Sequence, residues 1–327
     1  MAAQDMAASV AAGLPARRLE AASPRYGEKA IKAFLALCAA LSVITTTAIV
    51  LALLGPALEF FRTVSLGDFF LKSEWSPAQD RFGVQPLVVG TLNVVLWAML
   101  FAVPIGLGSA IYLSEYASRR VRRVVKPVLE VLAGIPTVAI GFFGVYYLVP
   151  LFRDHWPAWP GWLPWSGHIL GGPPGFYMAG AASLCIGLMI VPIISSIAED
   201  AMSSVPAGLR EGAYALGASK MRVATRVVFP AALSGIVASI VLAISRAVGE
   251  TMIVLMVAGN NPNMTLNPVE VIQAMTAYVG ITATGDVATG SVEYNTLFAV
   301  GVLLFVATLV MNLISIRLVR RFREVYE

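Results

Sequence analysis

Six apolar runs separated by polar stretches organise the chain: residues 33–58, 86–113, 127–152, 176–197, 227–258 and 296–318. Each reaches the roughly 20 residues that an α-helix needs to cross a bilayer core about 30 Å thick. The pattern predicts an all-α integral membrane protein with six transmembrane helices. The first run exceeds the apolar core of about 7–15 residues found in a signal peptide, so it reads as an uncleaved helix. Between the fourth and fifth runs lies 205–230, VPAGLREGAYALGASKMRVATRVVFP. This stretch is basic, helix-prone and too polar to span, so it predicts a structured helix lying on one membrane face. Pro206 suits its start, Glu211 falls in early turns where the helix dipole favours an acid, and Gly217 marks a break. The expected divisions are a flexible basic tail over 1–32, a first helix and external loop over 33–85, a core over 86–320, and a terminus over 321–327.

Composition agrees with this pattern. Of 327 residues, 58% are hydrophobic and 13% charged, against about 25% charged in a soluble domain. The placement of charge then orients the chain. The basic residues gather in 1–32, 119–126, 210–226 and 317–323, which fall on one side of a six-helix topology. Of the 23 lysines and arginines, only Arg62, Lys72, Arg81 and Arg153 fall on the other side, and Arg246 lies within a run. By the positive-inside rule both termini are cytoplasmic. Cys38 and Cys185 both lie in apolar runs, so free thiols are expected rather than a disulfide framework. Residues 155–174 carry four tryptophans and both histidines, His155 and His168, and read as an external segment anchored at the headgroups.

Candidate chemistry is sparse. Residues 212–219, GAYALGAS, mimic the spacing of a phosphate-binding loop but lack its lysine and its preceding strand. No Ser/His/Asp or Cys/His constellation suits hydrolysis, because both histidines sit in one external segment. The chain reads as non-catalytic, with no metal site. Gly106 with Ala110, and Gly141 with Gly144, are places where helices can approach closely. Within the fifth run, Arg246 and Glu250 stand four residues apart, so on a continuous helix they share a face. A charge at membrane depth is expensive. Two readings fit: a self-neutralising ion pair, or an arginine facing a polar path whose planar fork suits tetrahedral oxyanions, with Glu250 holding it in place.

The 205–230 stretch resembles the EAA loop of ABC-importer permeases. Glu211-Gly212-Ala213 stands for E-A-A, Gly217 for its glycine, and Val227-Val228-Phe229-Pro230 for I-x-L-P, with Gly212, Val227 and Phe229 as departures. The motif Arg246-Ala247-Val248-Gly249-Glu250-Thr251 is similar to that of the phosphate-specific permeases. The continuation from Met252 to Asn260 and Ala110 to Glu115 resemble the PstC-type branch, and Leu132 to Thr137 is similar to the family, with Thr137 where serine is frequent. The resemblance implies an ABC type I importer permease fold with a cytoplasmic coupling helix. It implies coupling residues Glu211, Gly212, Ala213, Gly217 and Lys220, and pathway residues Arg246 and Glu250. The implied function is import of inorganic phosphate across a bacterial inner membrane. The implied partners are a sister permease, a dimeric ATPase holding ATP and magnesium, an extracytoplasmic phosphate-binding protein and the lipid bilayer, with no nucleic acid. A permease for sulfate or molybdate, an ion-coupled secondary carrier, and a membrane sensor or scaffold remain alternatives.

Overall fold

Small side chains decide how closely these helices approach, because hydrocarbon gives no hydrophobic drive for apolar faces to pair. In the computed structural model the described residues are 26–154 and 175–322, with side chains for 28–154 and 175–318. The tryptophan-rich segment and both histidines therefore lie outside the described residues, as does most of the basic tail.

Two units are distinguished, one ending at Ala52 and one beginning at Leu53. The first, as far as it is described, is the leading part of α1 (Tyr26–Thr63). Its side chains are exposed from Glu28 to Ile49, as expected of a helix sheathed by lipid. Thr45, Thr46 and Thr47 donate their hydroxyls to the carbonyls of Leu41, Ser42 and Val43 at 2.8–2.9 Å, so these three hydroxyls are satisfied within the helix.

The second unit continues through α2 (Leu66–Leu71) and a two-stranded hairpin, β1 (Trp75–Ser76) with β2 (Arg81–Phe82). Trp75 pairs with Phe82 across it. The long helices follow: α3 (Gln85–Tyr116), α4 (Arg119–Ala133), α5 (Thr137–Asp154) and α6 (Ala179–Ser203). Then come α7 (Ala207–Ala215), α8 (Lys220–Ala231), α9 (Leu233–Val248), α10 (Met275–Thr284) and α11 (Val292–Phe322). An aromatic cluster of Phe60, Phe69, Trp75, Phe82 and Tyr278 joins the end of α1 to the hairpin and α10, with Trp75 edge-on to Tyr278 at 4.9 Å.

Of the four helices among the described residues that are long and apolar enough to cross singly, α6 is the most buried. It forms the centre of a core with α3, α5, α9 and residues 253–258. A Cβ on Gly106 would lie 2.8 Å from Ile194, and one on Gly144 would lie 2.8 Å from Val257 and 2.9 Å from Cys185. These two glycines are therefore contact points, as their small size suggested. Cys38 and Cys185 are free.

Six spans are present only if each of two bent pairs counts as one. The run 127–152 is not a straight helix. It turns by 89° between α4 and α5, where Pro136 is extended (ψ 132°) and leads into α5. Likewise α8 and α9 meet at 73°. The run 227–258 does not stay helical either: α9 stops at Val248, and a π-helical turn, Val254–Ala258, follows the break.

A buried carboxylate ties α4 to the end of α6. Glu199 is 1% exposed. It pairs with Arg122, accepts from Lys126 Nζ at 2.9 Å and accepts from the Ser203 hydroxyl at 2.9 Å. Arg122 also donates to Ser203 Oγ at 2.8 Å, and Lys126 pairs with Asp200. Burial alone would lower the Lys126 pKa, but the bonds to Asp200 and Glu199 outweigh it and hold the ammonium above its ordinary 10.5. Lys126 therefore stays charged at any physiological pH. Breaking one side of such a buried pair costs about 3–5 kcal/mol, discounted here because Arg122 is partly exposed. Glu199→Ala is expected to lower the thermal midpoint of the detergent-solubilised protein by several degrees. Glu199→Gln, which keeps hydrogen bonding, should fall between it and the wild type in the same scan.

Candidate functional site

The first candidate site is built by local backbone rules. The chain leaves α6 and turns at Val205, and Pro206 takes the N-cap position of α7 with ψ 136°. At the other end Gly217 adopts φ 79°, a conformation that a residue with a Cβ resists. Its N–H reaches the Tyr214 carbonyl at 2.9 Å, and the Ala218 N–H reaches the Ala213 carbonyl at 3.1 Å. These two bonds make a Schellman cap that stops α7. Two residues later the Ser219 hydroxyl accepts from the Arg222 N–H at 3.4 Å and starts α8. The sequence LGASK is thus a stop followed at once by a start.

The ordered result is a short helix held over a buried cluster that includes Ala110, Met202, Val205, Val223 and Val228. Ala213 is half-buried on that side, whereas Glu211, Gly212, Gly217 and Lys220 are exposed. Leu216 is 90% exposed, and Leu209, Tyr214 and Met221 are exposed with it. The Lys220 ammonium lies 5.0 Å above the Tyr116 ring, a cation–π contact.

Arg210 fixes α7 in place. Its guanidinium donates to Glu115 Oε1 from Nε at 3.2 Å and from Nη2 at 3.0 Å. It also donates to the carbonyls of Val205 at 2.6 Å and Met202 at 2.7 Å. One side chain therefore joins α7, the end of α3 and the end of α6. The sequence reading took Arg210 as a topology charge and Glu115 as part of a motif. Nothing local links them, since 95 residues separate the two.

The second candidate site lies where α9 ends. Arg246 Nη1 donates to Glu250 Oε2 at 2.8 Å, so the two residues are brought together as their spacing suggested. The route to that pairing differs. Glu250 is not on the helix that carries Arg246; it sits in the break after Gly249. Its Oε1 accepts from the Ile253 N–H at 3.3 Å, and its carbonyl accepts from the Thr276 hydroxyl at 2.7 Å. The carboxylate thus caps the turn that follows, while Thr276 of α10 satisfies the unwound backbone. Irregular backbone at membrane depth requires such partners. The Glu250 side chain is 2% exposed and that of Arg246 is 42% exposed. Among the described residues, Arg246 has no second acceptor, so most of its N–H donors remain open. Leu242 and Gly249 are exposed on the same helical face. Beside Arg246, Ser245 donates to Asn312 Oδ1 of α11 at 3.0 Å. Among the described residues no group of three or more His, Cys, Asp or Glu is placed to hold a metal.

Residues 102–324 match the family described as binding-protein-dependent transport system inner membrane component. The chain is 34% identical over 287 residues to the probable ABC transporter permease protein YqgH of Bacillus subtilis, covering 86% of each chain. It is 33% identical over 309 residues to the phosphate transport system permease protein PstC of Haemophilus influenzae, covering 91% of this chain and 94% of the relative. The corresponding protein of Xylella fastidiosa is 34% identical over 256 residues, covering 76% of this chain and 77% of the relative. Among solved structures, a bacterial alginate ABC transporter superposes with a TM-score of 0.57 at 17% identity, over 91% of this chain and 98% of that one. The MetNI methionine ABC transporter gives 0.53 at 20% identity, over 77% and 100%. These two likenesses concern the fold alone. On the matched length and the relatives together, the chain belongs to the family of binding-protein-dependent transport system inner membrane components.

Proposed function

We propose that this chain is the PstC-type membrane permease subunit of an ATP-driven importer of inorganic phosphate. The observation that carries the reading is Arg246, pinned through one N–H to the buried Glu250 while its remaining donors stay open. That arrangement presents a fixed cationic fork at membrane depth. Two parallel N–H donors match a phosphate oxyanion. The share of charge held by Glu250 keeps the site weak enough for the ion to leave, as conduction requires. The relatives named as phosphate permeases support the choice of anion.

The α7 segment suits a mechanical role. Glu211, Gly212 and Ala213 of the capped helix, Gly217 at its stop and Lys220 at the start of α8 lie along an exposed apolar rim and would dock on a separate ATPase dimer, which would hold ATP and magnesium. Motion of that dimer would be transmitted because α7 is clamped by Arg210 and joined through α8 and its 73° bend to α9. Arg246 lies near the far end of α9. In this reading α7 and both termini face the cytoplasm, and a phosphate-binding protein and a sister permease complete the path.

Reconstituted uptake of radiolabelled phosphate tests the anion. Arg246→Ala is expected to reduce uptake at least a hundredfold while the assembled complex is recovered in normal yield. Arg246→Lys, which keeps charge but loses the fork, should restore only part of it. Sulfate or molybdate uptake exceeding phosphate uptake would reassign the substrate.

Coupling is tested separately. Glu211→Lys is expected to abolish phosphate-dependent ATP hydrolysis and uptake together. Arg210→Ala and Glu115→Ala should each cut coupled hydrolysis, and the double variant should be little worse than either, because they share one interaction. Additive losses in that cycle would mean that the pair does not act as a unit.

A further inference from the structure

The helix α4 has a surface that transport does not explain. It meets α5 at 89°. If α5 crosses the membrane, α4 lies along its surface. Its sequence, RRVRRVVKPVLEVLA, segregates by helical period. Arg119, Arg123, Lys126 and Glu130 recur at i, i+4, i+7 and i+11, while Val121, Val124, Val128 and Val131 recur at i, i+3, i+7 and i+10 on the opposite arc. No residue of α4 is buried. Val124 is 64% and Val131 72% exposed, so among the described residues the valine arc is left largely uncovered.

One flank of α4 is engaged. Val125 and Leu129 line a groove with Pro104, Ile105 and Leu113 of α3. Arg122 and Lys126 hold Glu199 and Asp200. Arg119, Arg120 and Arg123 form no ion pair among the described residues. Arg119 and Arg123 border a shallow cleft of about 480 Å³ with Arg122, Lys126 and Glu130. An apolar arc flanked by Arg120, which stands four residues before Val124, and faced across the helix by Arg119 and Arg123, on a helix lying in the membrane plane, is the chemistry of the headgroup–acyl boundary.

We propose that α4 is an in-plane helix that binds anionic phospholipid headgroups through Arg119, Arg120 and Arg123, with the valine arc in the acyl boundary. Right angles to α5 place the helix at that depth, and the charge of the open arc selects an anionic leaflet over a neutral one. Because Arg122 and Lys126 of the same helix grip the end of α6, the lipid also steadies the platform from which the 205–230 loop departs. The inference needs the membrane embedding of the chain and not the identity of the transported ion.

The test uses the full transporter complex and phosphatidylglycerol as probe. Native mass spectrometry counts the lipid retained through detergent, and thermal scans compare nanodiscs of pure phosphatidylcholine with nanodiscs containing phosphatidylglycerol. The wild type should retain phosphatidylglycerol and melt higher with it. Each Arg→Gln change at 119, 120 or 123 should weaken retention roughly fivefold, and the triple variant should lose both effects. Should the triple variant fail to assemble, the single variants Arg119→Gln and Arg123→Gln carry the measurement. Equal retention by variant and wild type would overturn the proposal. So would an equal thermal rise from inorganic phosphate added to phosphatidylcholine discs, or variants that lose the ATPase while keeping the lipid. Phosphate uptake is not a readout, so failure here is distinct from failure of the substrate reading.

Discussion

A carboxylate taken out of water must be answered by a cation or it destabilises the fold by several kcal/mol. Three glutamates carry this constraint, and their side chains are nearly inaccessible: Glu115 at 5%, Glu199 at 1% and Glu250 at 2%. Each is answered from a different element. Arg210 of α7 answers Glu115 of α3, Arg122 and Lys126 of α4 answer Glu199 of α6, and Arg246 of α9 answers Glu250 in the break beyond it. These pairs sit near helix ends and breaks, and they specify which helix ends meet.

Two of these pairs, at Glu115 and Glu199, make firm joints where α7 and α4 meet the ends of α3 and α6. Arg210 binds two backbone carbonyls as well as a carboxylate, so α7 cannot shift without disturbing α3 and α6. A loop of the same length without caps would absorb motion instead of passing it on. The Schellman cap at Gly217 and the immediate restart at Ser219 remove that slack. In the proposed cycle this stiffness lets a displacement at an exposed helix reach α9, whose last turn carries Arg246.

The second site works by controlled irregularity. An unbroken helix over 227–258 would bury its own backbone bonds and leave Glu250 to be paired by side chain alone. The break lets the Glu250 carboxylate serve two donors, Arg246 and the Ile253 N–H, while Thr276 covers the freed carbonyl. Arg246 is then oriented by a partner that does not exhaust it. In the proposed function this arrangement would leave a charge at membrane depth open to an anion.

Much of this was legible in the chain itself. The length of an apolar run sets whether it can cross, and glycine followed by serine sets where one helix stops and the next begins. The four-residue spacing of Arg246 and Glu250 let them pair even across a helix end. These features are local, so the residues concerned determine them. The right-angle turn of α4, the break at Gly249, and the pairing of Arg210 with Glu115 or Lys126 with Glu199 were not legible. Runs of apolar residues read as continuous whether or not a later segment supplies the bonds that permit a break. Likewise, a charge carries no mark of a partner 73 or 95 residues away. The sequence by itself determined which runs are long and apolar enough to cross and, at Gly217, where one helix stops. Tertiary structure decided which charges meet, because only close approach in space can compensate a buried carboxylate.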